Sequence, residues 1–235
     1  ASVSYRLPSR QGDGYGLNPA TIKELKEVDT KLLITVDCGI SCIHEVELAK
    51  AIDIDVIITD HHSVPQETPD AFAILHPKMP NCGYPFTDLT GAGVSLKLAQ
   101  ALIKEYFPVS EHEKQIRRFS DLATLGTIAD LGPLIGENRI IVKEGLKQIR
   151  ETDWDGLTYL LEVCGVDPEE KIHTNHIGFR LAPRINAAGR LESAYYALKL
   201  FLAKGPKAKL FAERLEKINK ERQRLTELIL EEAEQ

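Results

Sequence analysis

No apolar run in the 235 residues approaches the ~20 needed to span a bilayer. No basic-then-apolar leader opens the chain either, so the cytoplasm is the expected location. Cysteine is sparse: Cys38, Cys42, Cys82 and Cys164 fall at irregular spacings without a CxxC pair. That excludes a zinc ribbon or a disulfide framework and predicts reduced structural thiols. No GxGxxG follows a first strand, which removes the nucleotide-cofactor reading of an α/β chain. Internal repeats and low-complexity tracts are also missing. The first residue is Ala1 rather than Met, as in an excerpt or a processed product.

What is present suits one large domain, or one domain with an appendage. Hydrophobic residues make up 43% and charged residues 27%, enough apolar matter for a sizeable core. The net charge of −6 argues against a protein that simply coats nucleic acid, but the charge is unevenly spread. Residues 178–224 carry twelve Lys and Arg against four acids, a balance of +8, which leaves −14 for the remainder. An acidic body with a basic C-terminal third fits a carboxylate-rich metal site with an anion-binding wall. A solvated helical face accounts equally well for residues 204–224.

The front half alternates strands and helices. Residues 3–7 are expected to form a short strand, followed by a loop containing Gly12, Gly14 and Gly16. Asn18-Pro19 offers a cap and a first-turn proline for a helix to about Val28. Leu32-Leu-Ile-Thr-Val-Asp37 and Asp55-Val-Ile-Ile-Thr-Asp60 read as buried parallel strands, with residues 71–75 as a third. Ser41 is the expected cap of a helix to about Ala51. From Gly91 the pattern turns helical, over 91–106, 115–128, 137–150, 156–164 and 193–203, then a long helix over 206–235. The fold class is therefore α/β: a parallel sheet flanked by helices, then a helical region and a long terminal helix.

Asp37 and Asp60 end two apolar strands, and in open α/β sheets ligands gather outside those strand ends. An acid ending one strand is often only a helix cap. Two histidines directly after Asp60 change the weighing, because adjacent imidazoles rarely serve packing and each has two ring nitrogens to satisfy. One can ligate a metal while the next addresses a phosphate or leans on an acid. Asp130 lies in an otherwise apolar or small stretch, where an ionised carboxylate is costly unless paired or metal-bound. Asp121 competes with it but reads as a helix cap. Asp37, His61 and Asp130 give mixed oxygen and nitrogen donors suited to Mn²⁺ or Mg²⁺, with no thiolate. The remaining histidines, His76 among them, are scattered and add nothing convincing to the set. Gly91-Ala-Gly93 could present backbone N–H groups to an anion or simply allow tight packing. Arg184, Asn186 and Arg190 sit among Pro, Gly and Ala, which lets guanidinium forks approach phosphate oxygens. Arg10 could do the same before the glycine loop.

Ile58-Thr-Asp60-His61-His62 resembles the motif that gives the DHH phosphoesterase superfamily its name, and Thr35-Val-Asp37-Cys-Gly39 resembles its preceding acidic motif. Within that superfamily the chain is similar to the exonucleases specific for single-stranded DNA. Residues 10–16, 35–39, 60–62, 84–86, 91–94 and 123–133 carry the likeness. Asn138-Arg139, residues 178–191 and the Asn219/Arg222 pair extend it in order over nearly the whole chain.

The resemblance implies that Asp37 bridges two Mn²⁺ or Mg²⁺ ions, with His61 and Asp130 ligating one of them. His62 is then the catalytic contact to the scissile phosphate, and Asp60 supports the histidine pair. Arg10 would bind phosphate near the 5′ end, and Arg184, Asn186 and Arg190 would line the nucleic-acid path. The implied reaction is 5′→3′ removal of nucleotides from single-stranded DNA by a two-metal mechanism, in a channel too narrow for duplex. Single-strand-binding protein or a helicase are the implied protein partners. A phosphodiesterase acting on short oligonucleotides or cyclic dinucleotides is the nearest alternative, and a non-enzymatic DNA-binding scaffold another. The family's first Asp-x-Asp motif, expected before Val3, is absent. So are its second catalytic domain and OB-fold, expected beyond Gln235. The expected organisation is an α/β part over 1–110, a helical part over 111–204 and a connector helix over 205–235, inactive as a nuclease on its own.

Overall fold

The computed structural model describes residues 2–8, 16–80 and 82–234. The chain divides into two compact units, one of residues 13–145 and one of residues 1–12 with 146–235.

In the first unit the apolar runs become strands: β1 (Leu32–Val36), β2 (Asp55–Thr59) and β3 (Ala73–Leu75). All pair in parallel in the order β1-β2-β3, with Leu32 opposite Asp55 and Thr59 opposite Leu75. Parallel pairing requires crossovers, supplied between β1 and β2 by α2 (Ile43–Ala51). α1 (Pro19–Glu27) starts where Asn18 Oδ1 accepts the Thr21 N–H at 2.8 Å, with proline at the first turn. Ile22, Val46, Ala49, Ile54, Val56 and Ile58 form the core between these two helices and the sheet. β1 is an edge strand among the described residues, and its Leu32, Ile34 and Val36 are 47%, 41% and 58% exposed.

α3 (Gly91–Tyr106) packs along α4 (Val109–Ala129), and α5 (Gly136–Gln148) follows a short loop. Leu89, Val94, Leu96, Ala123 and Ile141 form the second core cluster. α3 runs over the residues its pattern predicts, because Thr90 caps it and Phe107-Pro108 stops it. α4 begins six residues earlier than expected. Asp121 consequently lies inside α4, fully buried, and is not a cap. Ser41 is not a cap either: Cys42 holds that place, with no side-chain bond to the helix.

In the second unit α6 (Asp155–Val163), α7 (Ala182–Leu191) and α8 (Tyr195–Leu202) all pack on α9 (Pro206–Ala233). One π-helical turn, His176–Leu181, leads into α7. α9 buries Ala208, Ala212, Leu215, Ile218 and Asn219 along one stripe, at the three-to-four spacing of a helix face. Gly156 lets α6 meet α8, since a Cβ there would stand 2.1 Å from the Leu200 carbonyl oxygen. The strand expected over residues 3–7 does not form. A strand needs a ladder partner, and none of the three strands offers it one; instead the Leu7 N–H donates to the Tyr195 hydroxyl at 3.0 Å.

Candidate metal centre

The two parallel strands deliver the site. Asp37 is the first residue past β1, where its N–H continues the ladder to the Thr59 carbonyl at 2.9 Å. Its φ of 63° is left-handed, a conformation unusual for a residue with a Cβ. Strain of this kind collects where a side chain must be aimed. The Thr35 hydroxyl donates to the Cys38 carbonyl at 2.7 Å and helps hold the bend.

Gly91 makes room for the carboxylate. A Cβ at Gly91 would lie 2.1 Å from Asp37 Oδ1 and 2.8 Å from Asp37 Cβ. The Asp37 carboxylate thus stands against the N-terminus of α3, where the helix dipole favours an anion. Gly91 serves close approach to Asp37, whereas Gly93 packs against Leu89, where a Cβ would stand 3.1 Å from its Cδ2.

Asp60 is the first residue past β2 and is buried. Its Oδ2 accepts the Ile40 N–H at 3.0 Å; its Oδ1 accepts the N–H groups of His61 at 2.7 Å and His62 at 3.2 Å. The His62 ring completes the set, with Nδ1 at 2.6 Å from Oδ1. Burial pushes the carboxyl up, but these bonds together outweigh it, and Asp60 sits below its ordinary range. It is an ionised anchor that shapes the turn carrying both histidines.

His61 points the other way. Its Nε2 lies 3.1 Å from Asp37 Oδ1 and 3.6 Å from Asp130 Oδ2. The hydrogen bond to Asp37 raises His61 above the ordinary imidazole range against the pull of burial. The charges of Asp37 and Asp130 add to that rise, and Lys78 subtracts from it. Asp130 follows the last residue of α4, and Leu131 after it turns the chain with φ 57°.

The donor set fits a hard divalent cation. An imidazole nitrogen between two carboxylates gathers a proton here, and a cation of higher charge can replace that proton. Ligand atoms of Asp37, His61 and His62 all lie within 4.8 Å of one another. His62 therefore belongs to the closest group, whereas the sequence pattern pointed to Asp130 for that place; Asp130 joins through His61. Cys38 stays outside the group, and burial, with the nearby Cys42, Asp60 and Asp37 charges, pushes its thiol up to about 11.

The other expected residues have separate settings. Arg184 on α7 is paired with Glu216 on α9 and also donates to the Arg180 carbonyl at 2.7 Å. Asn186 and Arg190 on the same helix are exposed. Arg10 lies outside the described residues. Past the end of β3, Lys78 donates to the His61 carbonyl and His76 accepts the Lys78 N–H, although no sequence motif assigns either a role. The signal that marked Asp37 and Asp60, a polar residue directly after a parallel strand, is present at His76 as well.

A parallel sheet that sets acids and paired histidines at its carboxyl ends gives a candidate site for a divalent cation, and the chain belongs to the DHH family. That family's N-terminal domain matches residues 1–127. The chain is similar to the single-stranded-DNA-specific exonuclease RecJ of Bacillus subtilis (strain 168), with 43% identity over 234 residues. The same-named protein of Escherichia coli K12 is 35% identical over 233 residues. These matches cover 99% and 96% of this chain but only 28% and 40% of the relatives, so it spans less than half their length. Exonuclease RecJ bound to manganese shares the fold with a TM-score of 0.83 at 35% identity, over 96% of this chain and 55% of that one. RecJ from Thermus thermophilus in complex with Mn²⁺ gives 0.78 at 35% identity, over 90% and 31%.

Proposed function

We propose that the full-length protein is a metal-dependent 5′→3′ exonuclease on single-stranded DNA. The observation that carries the reading is His61 Nε2 set between the Asp37 and Asp130 carboxylates at 3.1 and 3.6 Å. The relatives named as exonucleases, and the manganese-bound structures among them, support it. Asp37, His61 and Asp130 would hold Mn²⁺ or Mg²⁺, with His62 close enough to assist. When bound, such an ion neutralises phosphate charge and makes a water molecule acidic enough to become a nucleophile near neutral pH.

The chain's own groups divide the remaining tasks. Asp60 accepts from His62 Nδ1, which orients the ring and turns Nε2 outward, where it would donate to a phosphate oxygen when both ring nitrogens carry protons. His62 is half exposed, as a group that meets substrate must be. Asp60 positions and does not itself contact the phosphate. Arg10, Asn186 and Arg190 would bind the strand, and Arg184 would contribute through its second guanidinium edge. Single-strand-binding protein or a helicase would supply the strand. Four free cysteines accord with a cytoplasmic setting.

The test is the full-length protein on 5′-labelled single-stranded DNA, RNA and dinucleotides with Mn²⁺. Degradation of the DNA strand from its 5′ end is expected, with at least a thousandfold loss in His61→Ala. Preference for dinucleotides would transfer the reading to short oligonucleotides, and unchanged activity in His61→Ala would remove that residue from the site.

A further inference from the structure

The Leu75 carbonyl at the end of β3 accepts the Asp60 N–H at 3.2 Å, so the chain beyond β3 runs beside the histidine turn. One of its side chains reaches back onto that turn, and a second holds the backbone of the first. Lys78 Nζ donates to the His61 carbonyl at 2.6 Å. His76, 5% exposed, accepts the Lys78 N–H on its Nδ1 at 3.1 Å. That bond assigns the tautomer, because a ring nitrogen that accepts must leave the proton on the other one.

His76 Nε2–H is therefore a buried donor, and no well-aligned acceptor meets it among the described residues. The acceptor facing the ring is the His62 backbone. A buried N–H left without a partner is costly, so a small closure onto the His62 carbonyl is favoured. His76 is not a further metal ligand, since one ring nitrogen is occupied and the other carries the proton.

We propose that His76 and Lys78 form a brace on the backbone of His61 and His62 that holds both imidazoles at the separation a bound ion needs. Both are positioning residues, and the proposal rests on the metal-site reading above. The brace also ties the third strand to chemistry carried by the first two.

The experiment is a Mn²⁺ titration of the full-length protein followed by electron paramagnetic resonance, with thermal unfolding in parallel. His76→Leu is expected to weaken Mn²⁺ binding about tenfold. His76→Asn, which restores an acceptor for Lys78 and a donor for the carbonyl, is expected to return it to within about twofold. Parental affinity in His76→Leu, or an Asn variant as weak as the Leu one, overturns the brace. Should His76→Leu fail to fold, the exposed Lys78→Met decides. Removing that positive charge tightens cation binding by Coulomb's law alone, whereas loss of the brace weakens it several-fold. Tighter or unchanged binding in Lys78→Met overturns the proposal. Because the readout is ion binding, a parent that binds Mn²⁺ without cutting single strands overturns the exonuclease reading while the variants still decide the brace.

Discussion

A hydrogen atom in place of a methyl group at Gly91 decides whether Asp37 can face His61. The added Cβ of Gly91→Ala would meet not only the movable carboxylate but Asp37 Cβ at 2.8 Å, so rotating the side chain cannot relieve it. Either α3 retreats or Asp37 swings away. Overpacking of this kind costs about 1–3 kcal/mol, which a folded domain usually survives. The expected outcome is a protein that unfolds a few degrees lower and binds Mn²⁺ at least tenfold more weakly. Calorimetry and an ion titration on one sample separate the two effects.

The cysteines give a second residue-scale prediction. Burial pushes Cys38 and Cys164 up to about 11, so at pH 8 each is a thiolate on the order of one part in a thousand. Cys82 is exposed. One equivalent of iodoacetamide at pH 8 should mark Cys82 first, read by peptide mass spectrometry. Early labelling of Cys38 would contradict the packing around Asp37.

At the scale of elements, legibility followed the source of each signal. Strands β1 and β2 could be read because their apolar runs are bounded by Asp37, Asp55 and Asp60. The first two turns of α4 could not. Residues 109–114 are polar apart from Val109, and a helix turn that buries nothing shows no period. Asp121 looks like a cap only while those first turns go unseen, since the helix that contains it begins at Val109. His76 reads as scattered in the sequence, because a three-residue strand carries too little pattern to mark its own end.

α9 divides in the same terms. Its buried stripe stops at Asn219, which accepts from Arg222 Nε at 3.2 Å. Beyond it the helix is held by its own hydrogen bonds and pairs such as Arg224 with Glu221. Exposed pairs of this kind add little. In this 235-residue chain, amides of 222–233 should exchange with deuterium at least ten times faster than those of 208–219. Equal protection along the helix would mean that its last turns are covered in solution.

For the molecule as a whole, composition foretold the charge division but not its use. Several cations of the basic third are already matched: Arg184 and Lys220 with Glu216, Arg214 with Glu192, Arg224 with Glu221. Those three acids are already subtracted in the balance of +8, so it is the count of twelve cations, not the net charge, that overstates what the surface offers to a polyanion. The site itself was legible as residue types on strand ends. The distances were not, because they depend on a left-handed Asp37 and on how closely α3 approaches.

The alternating Leu32, Ile34 and Val36 of β1 bear on handling as well as on folding. Among the described residues nothing pairs with the outer edge of β1, and a strand with an open edge and oily side chains is a template on which a second molecule can lay its own strand. Solutions of this chain should thicken into dimers and larger species as concentration rises, and added salt should not reverse it. Sedimentation velocity would show the heavier boundary, and Ile34→Lys should keep the sample monomeric. A parent that stays monomeric at high concentration would show that this edge repels its own kind.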